Sequence, residues 1–253
     1  MNLNHRFDGP EGAPVLVLSS SLGTTLDLWE LQVPGLARTH RVLRYDHRGH
    51  GGSPVPPGPY TIAELAGDVL ELLDRLELDR VSFCGLSIGG AVGMWLGANA
   101  PERIDRLVVA CSSARFGTAD TWIERAATVR AEGTEAIADA VMSRWFTAAF
   151  AAENPGVVRR FREMVAATPD EGYAGCCDAL REWDFRDELG TVAPPTLVIV
   201  GELDPVASIV DGEVLFERIP DASLHVVDGV AHLANIPQPE EFKQAVLSHL
   251  EAA

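Results

Sequence analysis

The sequence predicts an α/β fold: a mostly parallel central sheet flanked by helices, with an all-helical block inserted in it. Three observations carry that prediction. Short apolar runs alternate with helix-periodic stretches along most of the chain, as the β–α repetition of a parallel sheet requires. Several of these runs are apolar almost throughout, the mark of strands buried on both faces. The alternation then stops between residues 114 and 190, where four helix-like stretches follow one another with no convincing strand.

The predicted strands are VLVLSS (15–20), RVLRYD (41–46), RVSFCG (80–85), RLVVACS (106–112), TLVIVG (196–201) and SLHVVD (223–228). Between the second and third, YTIAELAGDVLELLDRLEL sets Ile62, Leu65, Ala66, Val69, Leu72, Leu73 and Leu76 on one helical stripe. Thr61 with Glu64 makes a capping box at its start. The inserted helices are TWIERAATVRAEG, TEAIADAVMSRWFTAAF, NPGVVRRFREMVAATP and EGYAGCCDALREW, after which TVAPPT (191–196) returns the chain to the sheet. The predicted organisation is a core of residues 1–113 and 191–253, with residues 114–190 as a helical lid over one end of the sheet. The opening MNLNHRFDGPEGAP leaves room for one strand before VLVLSS.

The totals suit one domain with a large core: 253 residues, 47% hydrophobic and 23% charged. There are 20 Lys and Arg against 37 Asp and Glu, a net charge of −17. That balance argues against nucleic acid and anionic membrane surfaces as partners, since both need a basic patch. Cys84, Cys111, Cys176 and Cys177 lack paired C-x-x-C spacing. Neither a disulfide framework nor a zinc site is expected, and Cys176 and Cys177 read as reduced thiols on a helix. The first residues show no apolar signal-peptide segment, so the expectation is a cytoplasmic protein. From Val81 to Pro101 no charged residue occurs, but the run holds Gly85, Gly89, Gly90, Gly93 and Gly97. It reads as a buried strand, a sharp turn and a buried helix rather than a membrane span.

That turn carries chemistry. Gly85-Leu86-Ser87-Ile88-Gly89 fits G-x-S-x-G, with an apolar strand before it and a Gly/Ala-rich helical stretch after it. This is the strand–turn–helix setting of a nucleophile elbow. The bland alternative is a structural serine in a Gly-rich turn, since five-letter patterns also match by chance. Partners in the right order decide between them. Asp204 in GELDPVAS follows the strand TLVIVG, and His232 in DGVAHLANIPQPEE follows the next strand. Asp228 is a rival acid but lies too near the histidine in sequence. The predicted catalytic set is therefore Ser87, Asp204 and His232: His232 takes the serine proton, and Asp204 holds the imidazole tautomer. The oxyanion donors are predicted as the backbone N–H of Ile88 and, from the loop after VLVLSS, that of Leu22. His47 and His50, in YDHRGHGGS, have the spacing of a metal pair but no further ligands nearby. No metal and no cofactor is expected. His225 alternates within a strand and reads as packed.

The segments GLSIGG, YDHRGHGGS, GELD and VAHLANIPQPEEF resemble the α/β-hydrolase superfamily over nearly the whole chain. LSSSLGTTLDLWELQVPGL is more specific. Ser20-Ser21 stands where most relatives of that superfamily have His-Gly, and the S-L-G-T loop with Trp29 beyond it resembles 3-oxoadipate enol-lactonases. RWFTAAF and EGYAGCCDAL in the helical block add to that resemblance. It implies hydrolysis of 3-oxoadipate enol-lactone to 3-oxoadipate in the β-ketoadipate pathway of aromatic catabolism, with a small anionic lactone as substrate. Trp122 and Arg125 share a helical face at i,i+3, so they are candidates for walling the pocket and pairing the carboxylate. Trp145 is a second wall candidate. Oligomeric state is not set by the sequence.

The triad alone implies only acyl transfer to water. A carboxylesterase, a carbon–carbon bond hydrolase and a cofactor-free haloperoxidase-like enzyme would share it. Haloalkane dehalogenases and epoxide hydrolases place an aspartate where Ser87 stands. A non-catalytic ligand-binding module is disfavoured by an intact Ser, Asp and His in order. A dinucleotide site is disfavoured because Gly85, Gly89 and Gly90 do not make G-x-G-x-x-G.

Overall fold

The structure is a computed structural model and describes residues 1–252. Seven strands form one sheet: β1 (His5–Asp8), β2 (Val15–Ser19), β3 (Arg41–Tyr45), β4 (Val81–Leu86), β5 (Ile104–Ala110), β6 (Thr196–Gly201) and β7 (Ala222–Val227). Their order is β1-β3-β2-β4-β5-β6-β7. Every pairing is parallel except that of β1 with β3. The six strands read from sequence recur within two residues at each end, and β1 is the one strand for which the N-terminal segment left room. Each residue of β4 and of β6 is buried. Both faces of the sheet centre are therefore covered, which is why these strands read as unbroken apolar runs.

Three helices precede β5, and a fourth opens the crossover that follows it. They are α1 (Val33–Leu36), α2 (Ile62–Arg75) and α3 (Ile88–Asn99), followed after β5 by α4 (Ala119–Glu132). Helix α2 has the capping box read from sequence: the Thr61 hydroxyl accepts from the Glu64 N–H, and the Glu64 carboxylate accepts from the Thr61 N–H. Helix α3 is twelve residues long and buried on nearly every side. It supplies the middle of the uncharged run, and among the described residues no helix is long and apolar enough to cross a membrane.

Between β5 and β6 the chain forms α4, α5 (Ala138–Trp145), α6 (Ala148–Glu153), α7 (Pro155–Ala166) and α8 (Asp170–Glu182). The sequence predicts four helices here and the structure has five. The stretch TEAIADAVMSRWFTAAF divides because Thr147 turns extended and its hydroxyl accepts the Phe150 N–H, capping a new helix. After β6 and β7 come α9 (Ile209–Arg218) and α10 (Pro239–Leu250). His225 departs from its expected packing. It lies on the edge strand β7, and its half-exposed ring meets Glu241 at 3.1 Å.

The strand order fixes where a site can form. Chain order reverses at β2, which lies between β3 and β4. In open α/β sheets ligands bind beyond the carboxyl ends of the strands at such a reversal. Beyond β2 runs the Ser20–Thr25 loop, and beyond β4 stands Ser87.

Candidate active site

Ser87 links β4 to α3 with φ 59° and ψ −118°. A non-glycine residue there is strained, and the surroundings over-determine it. Its N–H donates to the Ala110 carbonyl at 2.9 Å, and its carbonyl accepts from the Ser112 hydroxyl at 2.8 Å. The flanking glycines are required by space. A Cβ on Gly85 would lie 2.0 Å from the Gly89 carbonyl oxygen, and one on Gly89 would lie 2.4 Å from that of Ser19. The G-x-S-x-G spacing is thus the packing of strand, elbow and helix against each other and against β2.

The elbow brings together groups far apart in sequence. Ser87 Oγ lies 2.9 Å from His232 Nε2, and His232 Nδ1 lies 2.8 Å from Asp204 Oδ2. All three residues are buried. The network satisfies every group when Nδ1–H donates to the carboxylate and Nε2 accepts the serine proton. Asp204 Oδ1 accepts from the N–H groups of Val206 at 2.7 Å and Ala207 at 3.1 Å. These donors fix the carboxylate before it meets the imidazole. The rival Asp228 is exposed in the turn after β7. The loop bearing His232 is tied to the helical insertion, since the Leu233 N–H donates to the Trp145 carbonyl at 3.3 Å.

Of the predicted oxyanion donors, Ile88 directly follows Ser87 in the chain and Leu22 lines the pocket that holds Ser87. Among the described residues, the N–H groups of Leu22 and Ile88 donate to no protein acceptor. Ile88 is the first residue of α3, where an N–H has no intrahelical partner and the helix dipole favours negative charge. The Leu22 loop is held by side chains that sequence reasoning left without a role. His47 Nε2–H donates to the Ser20 carbonyl at 3.0 Å. His50 Nε2 accepts from the Gly23 N–H at 3.0 Å, while its Nδ1–H donates to the Arg48 carbonyl at 3.1 Å. Asp46 Oδ1 accepts from the Leu26 N–H at 2.7 Å. Three of the four ring nitrogens of this pair are thus bound to backbone. Burial pushes the His47 pKa down to about 3, aided by its neighbour His50, and burial lowers that of His50 as well. Both imidazoles are neutral near pH 7. The Ser20 hydroxyl donates to the Thr25 carbonyl at 3.2 Å and accepts from the Trp29 indole N–H at 3.1 Å. That explains why this loop couples Ser20 to Trp29.

Ser87 and His232 line a small, partly open pocket. Trp122, Arg125 and Trp145, all three candidates from the sequence, line it. The Trp122 N–H is engaged by the Phe116 carbonyl at 2.7 Å, so the indole serves as an apolar wall. The Arg125 guanidinium stacks on that indole, 4.7 Å from the ring centroid. Trp145 packs edge-on against Phe161, with centroids 6.3 Å apart. The structure adds Tyr173 of α8 and Arg144 of α5 to the lining. Arg144 carried one signal in the sequence: like Arg125, it has no acidic residue three or four positions away on its helix. No acidic side chain lines the cavity.

Comparisons with known proteins agree with this fold. Residues 14–239 match the family described as alpha/beta hydrolase fold. The chain is 41% identical to 3-oxoadipate enol-lactonase 2 of Acinetobacter baylyi, over 96% of this chain and 91% of that protein. It is 33% identical to a putative carbamate hydrolase of Rhizobium rhizogenes, over 98% and 96%. The crystal structure of the enol-lactonase from Burkholderia xenovorans superposes with a TM-score of 0.97 at 42% identity, covering 99% of this chain and 96% of that one. The elbow, the sheet order and these likenesses all lead to one assignment, and this chain belongs to the alpha/beta hydrolase fold family.

Proposed function

We propose that the protein is a serine hydrolase that opens 3-oxoadipate enol-lactone to 3-oxoadipate, as a step of aromatic catabolism. One observation carries this reading. The hydrogen-bonded line Ser87–His232–Asp204 ends in an acid-free pocket walled by two tryptophans and two arginines. The first part is the machinery of acyl transfer, and the second suits a small anion. The names of the A. baylyi and B. xenovorans relatives support the lactone as that anion.

The mechanism follows from the geometry. Ser87 Oγ attacks the lactone carbonyl as its proton passes to His232 Nε2, and Asp204 stabilises the imidazolium that forms. The carbonyl oxygen, now an oxyanion, takes the N–H groups of Leu22 and Ile88. Collapse breaks the ring C–O bond, and His232 returns the proton to the departing enol. In a lactone that leaving group remains attached to the acyl chain, so the cavity must hold the whole opened chain. Water, deprotonated by His232, then releases the carboxylate from Ser87, and the enol becomes the ketone. The helices from α4 to α8 act as a lid that excludes bulk water from this sequence. The four cysteines are free thiols, which supports a cytoplasmic location.

The test is an assay of enol-lactone disappearance beside simple esters. Preferred turnover of the lactone is the expected result. Turnover of plain esters alone would overturn the substrate and leave the serine chemistry standing.

A further inference from the structure

Most guanidinium groups in this acidic chain are engaged by carboxylates. Arg44 pairs with Asp8, Arg48 with Asp68, and Arg130 with Glu171 and Asp178. Arg144 differs. It is half-buried on α5, and among the described residues it makes no ion pair, no side-chain hydrogen bond and no stacking contact with an aromatic ring.

The same side chain lines two cavities. One is the pocket holding Ser87 and His232. The other lies outside it, with Phe116, Thr121 and Pro205 in its walls. Trp122, Arg125, Arg144 and Val206 are common to both and form the partition between them. No Asp or Glu lines either cavity, although the chain has a net charge of −17. Arg125 is held against Trp122, whereas among the described residues nothing holds Arg144. A guanidinium presents five N–H donors in a planar fork that matches a carboxylate. Half-buried and unpaired, it has lost part of its hydration and gained no acceptor in exchange.

We infer that Arg144, with Arg125 beside it in the partition, binds the distal carboxylate of the acyl chain and selects chains that end in a carboxylate over neutral ones of equal length. This rests on the serine-hydrolase reading for which end of the ligand reacts. The product then carries two carboxylates, one newly released at Ser87 and one at the arginines. Because Arg144 also faces the outer cavity, the same cation meets the anion on its way in and on its way out. A plain six-carbon dicarboxylate, adipate, should therefore be recognised at both ends, and hexanoate at one.

Calorimetric titration of adipate and of hexanoate into the wild type, Arg144→Gln, Arg144→Lys and Arg125→Gln tests this. Adipate should bind the wild type at least roughly tenfold more tightly than hexanoate, the usual scale of a charge-assisted pair. Arg144→Gln should erase most of that difference by weakening adipate, and Arg144→Lys should retain part of it. The melting temperature of each variant reports whether its fold is intact. Equal affinities of the wild type for the two acids, or an undiminished difference in Arg144→Gln, would overturn the inference. Failure of a fluorophosphonate to label Ser87 is a separate result: it would overturn the serine-hydrolase reading while the calorimetric difference still tests Arg144.

Discussion

His50 Nε2 accepts the N–H of Gly23, 3.0 Å away, in the loop whose preceding residue, Leu22, lines the same pocket as Ser87. The imidazole is buried, and its other nitrogen is bound to the Arg48 carbonyl. It can therefore accept only while neutral. The bond fixes the direction of the peptide next to Leu22, and so the aim of an oxyanion donor.

His50→Phe should keep the ring volume and remove the acceptor. Leaving the buried Gly23 N–H without a partner costs about 1–3 kcal/mol. We expect kcat to fall with KM little changed, because the oxyanion forms only after attack. His50→Asn, which restores an acceptor, should recover part of the loss. A rise in KM alone, or no recovery in His50→Asn, would show that the histidine merely fills space.

His47 predicts a pH dependence of stability. Its pKa in the folded state is near 3, lowered chiefly by burial, against an ordinary value of 6.5. The unfolded chain therefore binds the proton first as the pH falls. Stability is fully present above about 6.5 and is lost as the pH falls toward 3. His50 adds in the same direction. Melting temperatures measured across that window should decline, and less steeply in His47→Gln. A melting temperature that is flat from pH 7 to 4 would contradict the assignment of neutral buried imidazoles.

Asp204→Asn should leave the fold intact, because an amide oxygen can still accept from Val206 and Ala207. The amide cannot hold the His232 proton on Nδ1 as a carboxylate does. We expect kcat to fall by about 10⁴-fold, with little change in melting temperature. Asp228→Asn, in the exposed turn, should leave kcat within a factor of about two, on the scale of ordinary surface changes.

Gly85→Ala tests the packing of the elbow. The added Cβ would meet the Gly89 carbonyl at 2.0 Å, and that atom belongs to the backbone of α3, so it cannot simply move aside. We expect a loss of about 3 kcal/mol or more in urea unfolding, beyond the range of typical overpacking. Gly12→Ala, with nothing within 4 Å of the new methyl, is the control.

The contrast between these residues shows what a sequence can display. Strands such as β4 and β6 were legible because burial on both faces leaves an unbroken apolar run. The order Ser87, Asp204, His232 was legible because each follows a strand, and parallel strands carry their following loops to one edge. The break at Thr147 was missed because TEAIADAVMSRWFTAAF contains no Gly or Pro, and the cap depends on one backbone rotation. His47 and His50 revealed their spacing but not their partners, which lie 27 residues away in the chain. Arg144 was missed because the lack of an acidic neighbour on its own helix marks Arg125 as well, and its lack of any other partner is a property of three-dimensional neighbours. His225 read as packed because alternation on an edge strand looks the same as alternation on an inner one.

The measurement that bears most directly on the whole account is the rate of enol-lactone disappearance with purified wild type and Ser87→Ala. The account predicts turnover by the wild type and a loss of roughly 10⁶-fold in kcat for the variant, the scale of removing a serine nucleophile. A Ser87→Ala protein that opens the lactone at a rate near that of the wild type would contradict it.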